Sequence, residues 1–94
     1  MATFIMLSSL TDEGAKTLKA KPERIREVNR ELEGFGVTVQ AQYAVLGPYD
    51  FVSVLEARDP AAIVRVSAEL AARGSIRPTT LAAIPIDDFI ASLK

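Results

Sequence analysis

The chain has 94 residues, a formal net charge of -1, 49% apolar residues and 24% charged residues. These values predict a single globular domain over residues 1–94 and exclude a disordered or fibrous chain. The near-neutral charge argues against sequence-independent nucleic-acid binding, which requires a clustered basic surface. The absence of histidine and cysteine removes the usual general base, the thiolate nucleophile and the common metal ligands. We therefore expect no metal and no cofactor.

The sequence carries no feature that predicts contact with a membrane. No apolar run approaches the roughly 20 residues that a membrane-spanning helix needs. The first residues lack the charged region of a signal peptide and lead directly into an apolar segment. We therefore expect a cytoplasmic protein without a membrane partner.

The first part of the chain predicts a strand, a short helical turn and a longer helix. Residues 2–7 are almost all apolar, which indicates a strand that is buried on both faces. Thr11 or Asp12 is a candidate N-cap for the helical turn. Pro22 fits the first turn of the longer helix, which has one apolar and one charged face and ends at Gly34.

The middle of the chain predicts a β-hairpin. Residues 37–46 alternate between apolar and polar, as a strand with two different faces does. We assign one face to Val37, Val39, Ala41, Tyr43 and Val45, and the other to Thr38, Gln40 and Gln42. The sequence Gly47-Pro48-Tyr49-Asp50 is a turn signal, and a second apolar run over residues 51–55 follows it.

The last part of the chain predicts a helix, a strand and a terminal helix. Asp59-Pro60 begins a helix with an apolar stripe, a strand follows over residues 76–84, and a short helix covers residues 87–93. The element order is therefore β-α-β-β-α-β plus a C-terminal helix. Right-handed crossovers then predict an α+β protein with the ferredoxin-like, split β-α-β fold. Its four-stranded antiparallel sheet has the predicted order 4-1-3-2.

The two central strands predict self-association. Phe4 and Met6 face one side of the sheet while Ile5 and Leu7 face the other, and the strand over residues 51–55 is equally apolar on both sides. One layer of helices covers only one side, and an exposed apolar patch usually marks an interaction site. The terminal helix is too short to cover four strands. We therefore expect a homodimer, or a larger homo-oligomer of dimers.

Several segments of the chain resemble the GYD domain family, which is named for a Gly-x-Tyr-Asp turn. They are Thr3–Leu7, Thr11–Gly14, Pro22–Arg24 and the turn Gly47–Asp50. The resemblance covers nearly the whole chain and implies a ferredoxin-like domain of the dimeric α+β barrel group, in which two sheets pack face to face. It implies no function.

A second resemblance concerns the hairpin and the helix after it. The segment Gly47–Val52, followed by Asp59 and a helix, is similar to the effector-binding half of the feast/famine regulators. Those domains share the fold and bind amino acids between subunits. This chain lacks their helix-turn-helix half, so the resemblance implies a stand-alone sensor that binds a ligand and not DNA.

The predicted topology collects polar residues at the end of the domain where the first strand ends and the hairpin turns. We select as candidate ligand-binding residues Arg24, Tyr49, Asp50 and Arg77. Asp50 and Arg77 would lie about 10 Å apart across the first strand, and helix N-termini add positive potential there. We therefore expect the ligand at this end of the domain to be a small anion such as a carboxylate.

Each candidate also has a structural interpretation. Asp50 can cap the turn or pair with Arg77, Tyr49 can pack its ring with the hydroxyl satisfied, and Arg24 can lie on a solvated helix face. We favour the structural role for Asp50 and the ligand contact for Arg77.

Three classes of function remain open from the sequence. We favour a binding or regulatory module that assembles through its sheet and takes a small ligand. A purely structural assembly protein is an alternative. So is a cofactor-independent oxygenase or lyase, by analogy with enzymes of this fold. The lack of histidine and cysteine counts against catalysis, although Tyr49, Asp50 and Arg77 could polarise a substrate.

Overall fold

The computed structural model describes residues 1–94 and has the predicted order of elements. Its elements are β1 (Ala2–Leu10), α1 (Asp12–Ala20), α2 (Arg24–Glu33), β2 (Val37–Ala44), β3 (Phe51–Ala57), α3 (Pro60–Ala72), β4 (Ile76–Ala83) and α4 (Ile86–Ser92). The sheet is antiparallel throughout, in the order β2-β3-β1-β4. The predicted α+β class and ferredoxin-like strand order are therefore confirmed.

Local signals account for where the helices begin. The Thr11 hydroxyl accepts a hydrogen bond from the Gly14 backbone N–H at 3.1 Å, so Thr11 is the N-cap of α1. The Asp59 carboxylate accepts one from the Ala62 N–H at 3.1 Å, and Pro60 is the first residue of α3. Pro22 lies in the turn directly before α2, because the fixed φ of proline suits that approach.

One face of the sheet lies under α2 and α3, and we call it the covered face. Its strands contribute Phe4, Met6 and Leu55 to the hydrophobic core, all of them buried. The helices contribute Leu32, Ile63, Val66 and Leu70. Each of these side chains stabilises the fold by about 1.5–3 kcal/mol through burial. Every second residue of β1 belongs to this face, which also buries Ser8.

A β-bulge in β2 corrects the predicted faces of that strand. Val39 pairs with Leu55, but Ala41 pairs with the next residue along β3, Val54, so the register shifts at Gln40. Because an inserted residue reverses the alternation of side chains, the residues beyond the bulge exchange faces. Gln42 therefore turns towards the covered face and Tyr43 away from it, opposite to the prediction.

The other side of the sheet, which we call the open face, has no element packed on it. Its residues are Thr3, Ile5, Leu7, Ser9, Thr38, Ala41, Tyr43, Val52, Val54, Glu56, Arg77, Thr79, Leu81 and Ala83. Tyr43 is 61% exposed and Leu81 is 48% exposed. No residue of α4 is buried, so the terminal helix does not cover this face, as its length predicts.

Candidate functional site

Asp50 closes the hairpin onto the end of β1. Its carboxylate oxygen Oδ2 accepts a hydrogen bond from the Leu10 N–H at 2.7 Å. Its own N–H donates to the Ser8 carbonyl at 2.8 Å, and its carbonyl accepts from the Val45 N–H at 2.9 Å. Gly47 precedes it with φ of 125°, a conformation that favours glycine. The Asp50 carboxylate thus has a structural role, although its partner is the backbone of a neighbouring strand and not the turn or Arg77.

Arg77 lies on the opposite side of β1 from Asp50 and does not pair with it. It stands opposite Ser9 in the sheet, on the open face, and its side chain is exposed. Its guanidinium makes no hydrogen bond or ion pair within the chain. Tyr49 is partly buried in the hairpin loop. Asp50 and Arg77 therefore do not form the ion pair that was one alternative for them, because they lie on opposite sides of β1.

Arg24 belongs to an ion-pair network that joins α2 to the end of α3. Its guanidinium lies 3.1 Å from Glu27 and 2.9 Å from Glu31. Glu31 also accepts a 2.7 Å hydrogen bond from Arg73, just beyond the end of α3. The bond from Arg73, followed by the charges of both arginines, holds the pKa of Glu31 below its ordinary value. The bond to Glu27 raises the pKa of Arg24.

A cavity of about 140 Å³ lies between α1, α2 and the covered face, at the end where β1 stops. Its walls are mostly apolar and include Met6, Leu18, Ile25, Val28, Phe51 and Leu55. Polar side chains line one part of it, namely Ser8, Asn29, Gln42 and Ser53. Of the four candidate residues from the sequence, Arg24 lines this cavity, and Tyr49, Asp50 and Arg77 do not. The structure therefore does not bring the four into one site.

The polar side chains of the cavity form a hydrogen-bonded chain. The Asn29 amide donates to the Gln42 carbonyl oxygen at 2.8 Å. The Gln42 amide then donates to the Ser53 hydroxyl at 3.1 Å. This chain exists because the bulge in β2 turns Gln42 towards the helices. The sequence interpretation placed Gln42 on the other face, and so it missed this site.

Close packing of α1 against the segment before β4 forms one wall of the cavity. Thr11 donates from its backbone N–H to the Ser75 carbonyl at 3.0 Å and from its hydroxyl to the Gly74 carbonyl at 2.7 Å. A Cβ on Gly14 would overlap the Ser75 carbonyl oxygen. Only glycine therefore allows this approach, which explains the residue that ends the segment Thr11–Gly14 of the family resemblance.

The terminal helix α4 exposes an apolar stripe that the sequence analysis overlooked. Its residues are Ile86, Phe89, Ile90 and Leu93, each exposed by 46% or more. Their spacing of three, one and three residues is typical of one face of an amphipathic helix. That spacing is the signal that could have found it. No helix of the protein combines the length and the apolar character needed to cross a membrane.

Comparison with known proteins decides the family. The family model of the GYD domain matches residues 4–93. The chain belongs to the GYD domain family. A Thermus thermophilus relative of this GYD protein is 63% identical over 95 residues, with 100% of both chains covered. It is named glutamine synthetase and cystathionine beta-lyase binding protein.

A solved structure agrees with the fold of this GYD protein. The crystal structure of TTHA0845 from Thermus thermophilus superposes with a TM-score of 0.57 and 23% sequence identity. The superposition covers 90% of this chain and 95% of that chain. At this level of identity the likeness concerns the fold alone.

Proposed function

We propose that this GYD protein is a dimeric accessory protein that binds a metabolic enzyme and regulates it. The observation that carries the proposal is the relative that is 63% identical over the full length of both chains and is named as a binding protein for two enzymes. Glutamine synthetase and cystathionine beta-lyase are therefore the candidate partners of this chain.

The open face supports the dimer. Ile5 and Leu7 form its centre, flanked by Val52 and Val54 on β3. This surface resembles the inner layer of two packed sheets, which a second copy of the same face can complete. Its strands carry one anion and one cation at opposite ends, since Glu56 pairs with Thr3 whereas Arg77 pairs with Ser9.

A twofold axis between two open faces would place opposite ends of the strands over one another. When two copies pack with their strands antiparallel, the Glu56 end of one copy lies over the Arg77 end of the other. Opposite charges at such an interface favour one orientation over another. The pattern of charges therefore supports a second copy as the occupant of this face.

The apolar stripe of α4 supports an enzyme partner. A helix of seven residues is marginal in water on its own, and this one buries no side chain within the chain. Helices of this kind bind by laying their apolar face into a groove of another protein. The acids Asp87 and Asp88 in its first turn predict basic residues at the rim of that groove.

The test is direct binding to the two purified enzymes. Wild type is expected to bind at least one of them, and F89D is expected to weaken binding by about tenfold or more, because it places a charge in the apolar contact. The matched control is V64D, since Val64 is an exposed apolar residue of α3, outside the stripe. It should leave the affinity unchanged.

Three results would contradict the proposal. The first is no binding of wild type to either enzyme at micromolar concentration. The second is an equal loss of affinity in F89D and V64D. The third is a loss of self-association in F89D by light scattering, which would place α4 in the dimer instead of on the enzyme.

A further inference from the structure

We propose that the cavity between α1, α2 and the covered face is a binding site for a small monocarboxylate with an apolar body of about the size of a benzene ring. This deepens the proposed binding function by adding a small ligand. It does not depend on which enzyme is the partner. Three observations carry the inference: the size and walls of the cavity, its unused hydrogen-bond donors, and the sign of its charged residues.

The size and walls of the cavity suit a compact apolar group. Its volume is about 140 Å³, and a cavity of roughly this size with aliphatic and aromatic walls is able to hold benzene. The walls include Met6, Leu18, Val28, Phe51, Leu55 and Leu70. An aromatic ring or a branched aliphatic chain would therefore fill it.

The polar part of the cavity offers hydrogen-bond donors. Ser53 accepts a bond from the Gln42 amide at 3.1 Å, and its own hydroxyl proton has no acceptor in the chain. Ser8 is 5% exposed, and its hydroxyl makes no hydrogen bond within the chain. The two serines are diagonal neighbours on the covered face of β1 and β3. Two donors at this spacing suit the oxygen atoms of one ligand head group.

The charged residues of the cavity set the charge of the ligand. Arg24 and Arg73 are the charged side chains that line it, and both are cationic. Arg73 Nη2 lies 2.7 Å from a carboxylate oxygen of Glu31 and 3.4 Å from one of Glu69. Its other terminal nitrogen, Nη1, is buried and has no hydrogen-bond partner.

An unpartnered buried donor of this kind needs explanation. Arginine recognises carboxylates with its parallel N–H groups, and a small rotation of the Arg73 guanidinium would present Nη1 to a carboxylate oxygen in the cavity. The glutamates that pair with these two arginines, Glu27, Glu31 and Glu69, do not line the cavity, so a head group inside it meets only cationic and neutral side chains. The geometry therefore favours an anion over an alcohol or an amide of the same shape.

The test is an NMR titration of the uniformly ¹⁵N-labelled protein with benzoate and isovalerate. Two comparison molecules each lack one recognised feature: benzamide has the ring without the charge, and acetate has the charge without the body. Benzoate or isovalerate is expected to shift the amide signals of Ser8, Leu18 and Ser53, with a dissociation constant of about 1 mM or lower. Benzamide and acetate are expected to bind about tenfold more weakly or worse.

Variants locate the site. S53A removes a donor and R73Q removes the cation, and each is expected to weaken benzoate binding by about tenfold. R30Q is the matched control, because Arg30 is an exposed arginine of α2 that lies outside the cavity lining and forms no ion pair, and it should bind as wild type does. V28F fills the cavity without touching its donors and should abolish binding. The thermal transition of each ligand-free variant confirms that it is folded.

The inference is overturned by three outcomes. One is the absence of shifts with either carboxylate at about 10 mM, well above the expected dissociation constant. Another is equal binding of benzoate and benzamide. The third is loss of binding in R30Q with normal binding in R73Q and S53A. Enzyme binding is measured separately. Wild-type protein that binds an enzyme but binds neither carboxylate would therefore contradict the cavity site and leave the proposed enzyme binding intact.

Discussion

The two central strands carry apolar side chains on both faces of the sheet, but the two faces have different surroundings. On the covered face, Met6 is 3% exposed and Leu55 is 1% exposed, because α2 and α3 lie over them. On the open face, Leu81 is 48% exposed and Tyr43 is 61% exposed. Because β1 and β3 supply residues to both faces in alternation, a single residue step along a strand moves a side chain from the core to the surface.

This difference separates stability from association. Apolar side chains of the covered face stabilise the folded chain by burial within it. Those of the open face are less buried, with Ile5 and Leu7 only partly shielded, so covering them with another surface would stabilise the assembly further. At one end the covered face is not filled by apolar side chains. Ser8, Gln42 and Ser53 stand there instead, and they line the proposed ligand cavity.

The largest expected effect is on the covered face. L55A removes a side chain that is 1% exposed, and we expect it to lower the free energy of unfolding by about 2–5 kcal/mol through lost burial and a new cavity. L81A is the matched change on the open face and should lower it by less than about 1 kcal/mol under monomeric conditions. Urea unfolding of both variants measures the difference. Equal losses would show that the open face is part of the core.

A charge at the centre of the open face tests association instead of folding. L7K is expected to raise the dissociation constant of the dimer by about a hundredfold, or about 2.7 kcal/mol, because an unpaired ammonium group would be buried between two sheets. Sedimentation velocity over a range of concentrations measures this change. V64K, on the exposed side of α3, is the control. A monomeric wild type, or an L7K variant that still dimerises, would contradict the assignment of this face.

Gly14 tests how closely α1 packs at the incomplete end of the covered face. G14A introduces a Cβ that overlaps the Ser75 carbonyl, and we expect a loss of about 1–3 kcal/mol, the usual cost of overpacking. G34A is the control, since Gly34 has a helical φ of -64°. Thermal unfolding compares the two. A G14A variant as stable as G34A would mean that α1 moves away from Ser75 at no cost.

The Asp50 carboxylate tests the hairpin end of the sheet. D50A leaves the Leu10 N–H without its acceptor, and we expect it to destabilise the fold by about 0.5–2 kcal/mol, as lost capping bonds do. D50N keeps an acceptor oxygen and should recover most of this loss. Chemical unfolding of both variants provides the measurement. A D50A variant with unchanged stability would contradict the structural role of Asp50 and favour a role in ligand binding.

The smallest expected effect is on the ion-pair network that joins α2 to the end of α3. Because the pKa of Glu31 is lowered in the folded protein, its contribution is present above the ordinary value of 4.5 and is lost as the pH falls through the lower folded value. The side chain is 36% exposed, so solvent screening limits the contribution to about 1 kcal/mol or less. The free energy of unfolding of E31Q should therefore be lower than that of wild type at pH 7, and the two values should become equal in acid. If the difference in free energy of unfolding between E31Q and wild type does not change between pH 7 and acid, the ion pairs of Glu31 are not its cause.

Patterns within short segments were sufficient for the fold. Thr11 and Asp59 cap their helices with bonds to residues three positions later, and the glycine of the hairpin turn has the positive φ that its residue type favours. Such signals depend on a few neighbouring residues, so the sequence shows them directly. Combined with the handedness of the crossovers, they lead to the observed strand order. The apolar residues on both sides of β1 likewise predicted that the helices leave one apolar face of the sheet, the open face, uncovered.

Only the tertiary structure decided where the ligand cavity lies and what lines it. The bulge at Gln40 reverses the faces of β2 and turns Gln42 towards Ser53, and strict alternation in the sequence concealed it. Arg73 meets Glu31, and Gly14 meets Ser75, through packing between elements that are distant in the chain. Such contacts depend on the positions of the helices relative to the sheet, to within about an ångström. Residue types and spacing specify the elements, whereas this packing determines the site.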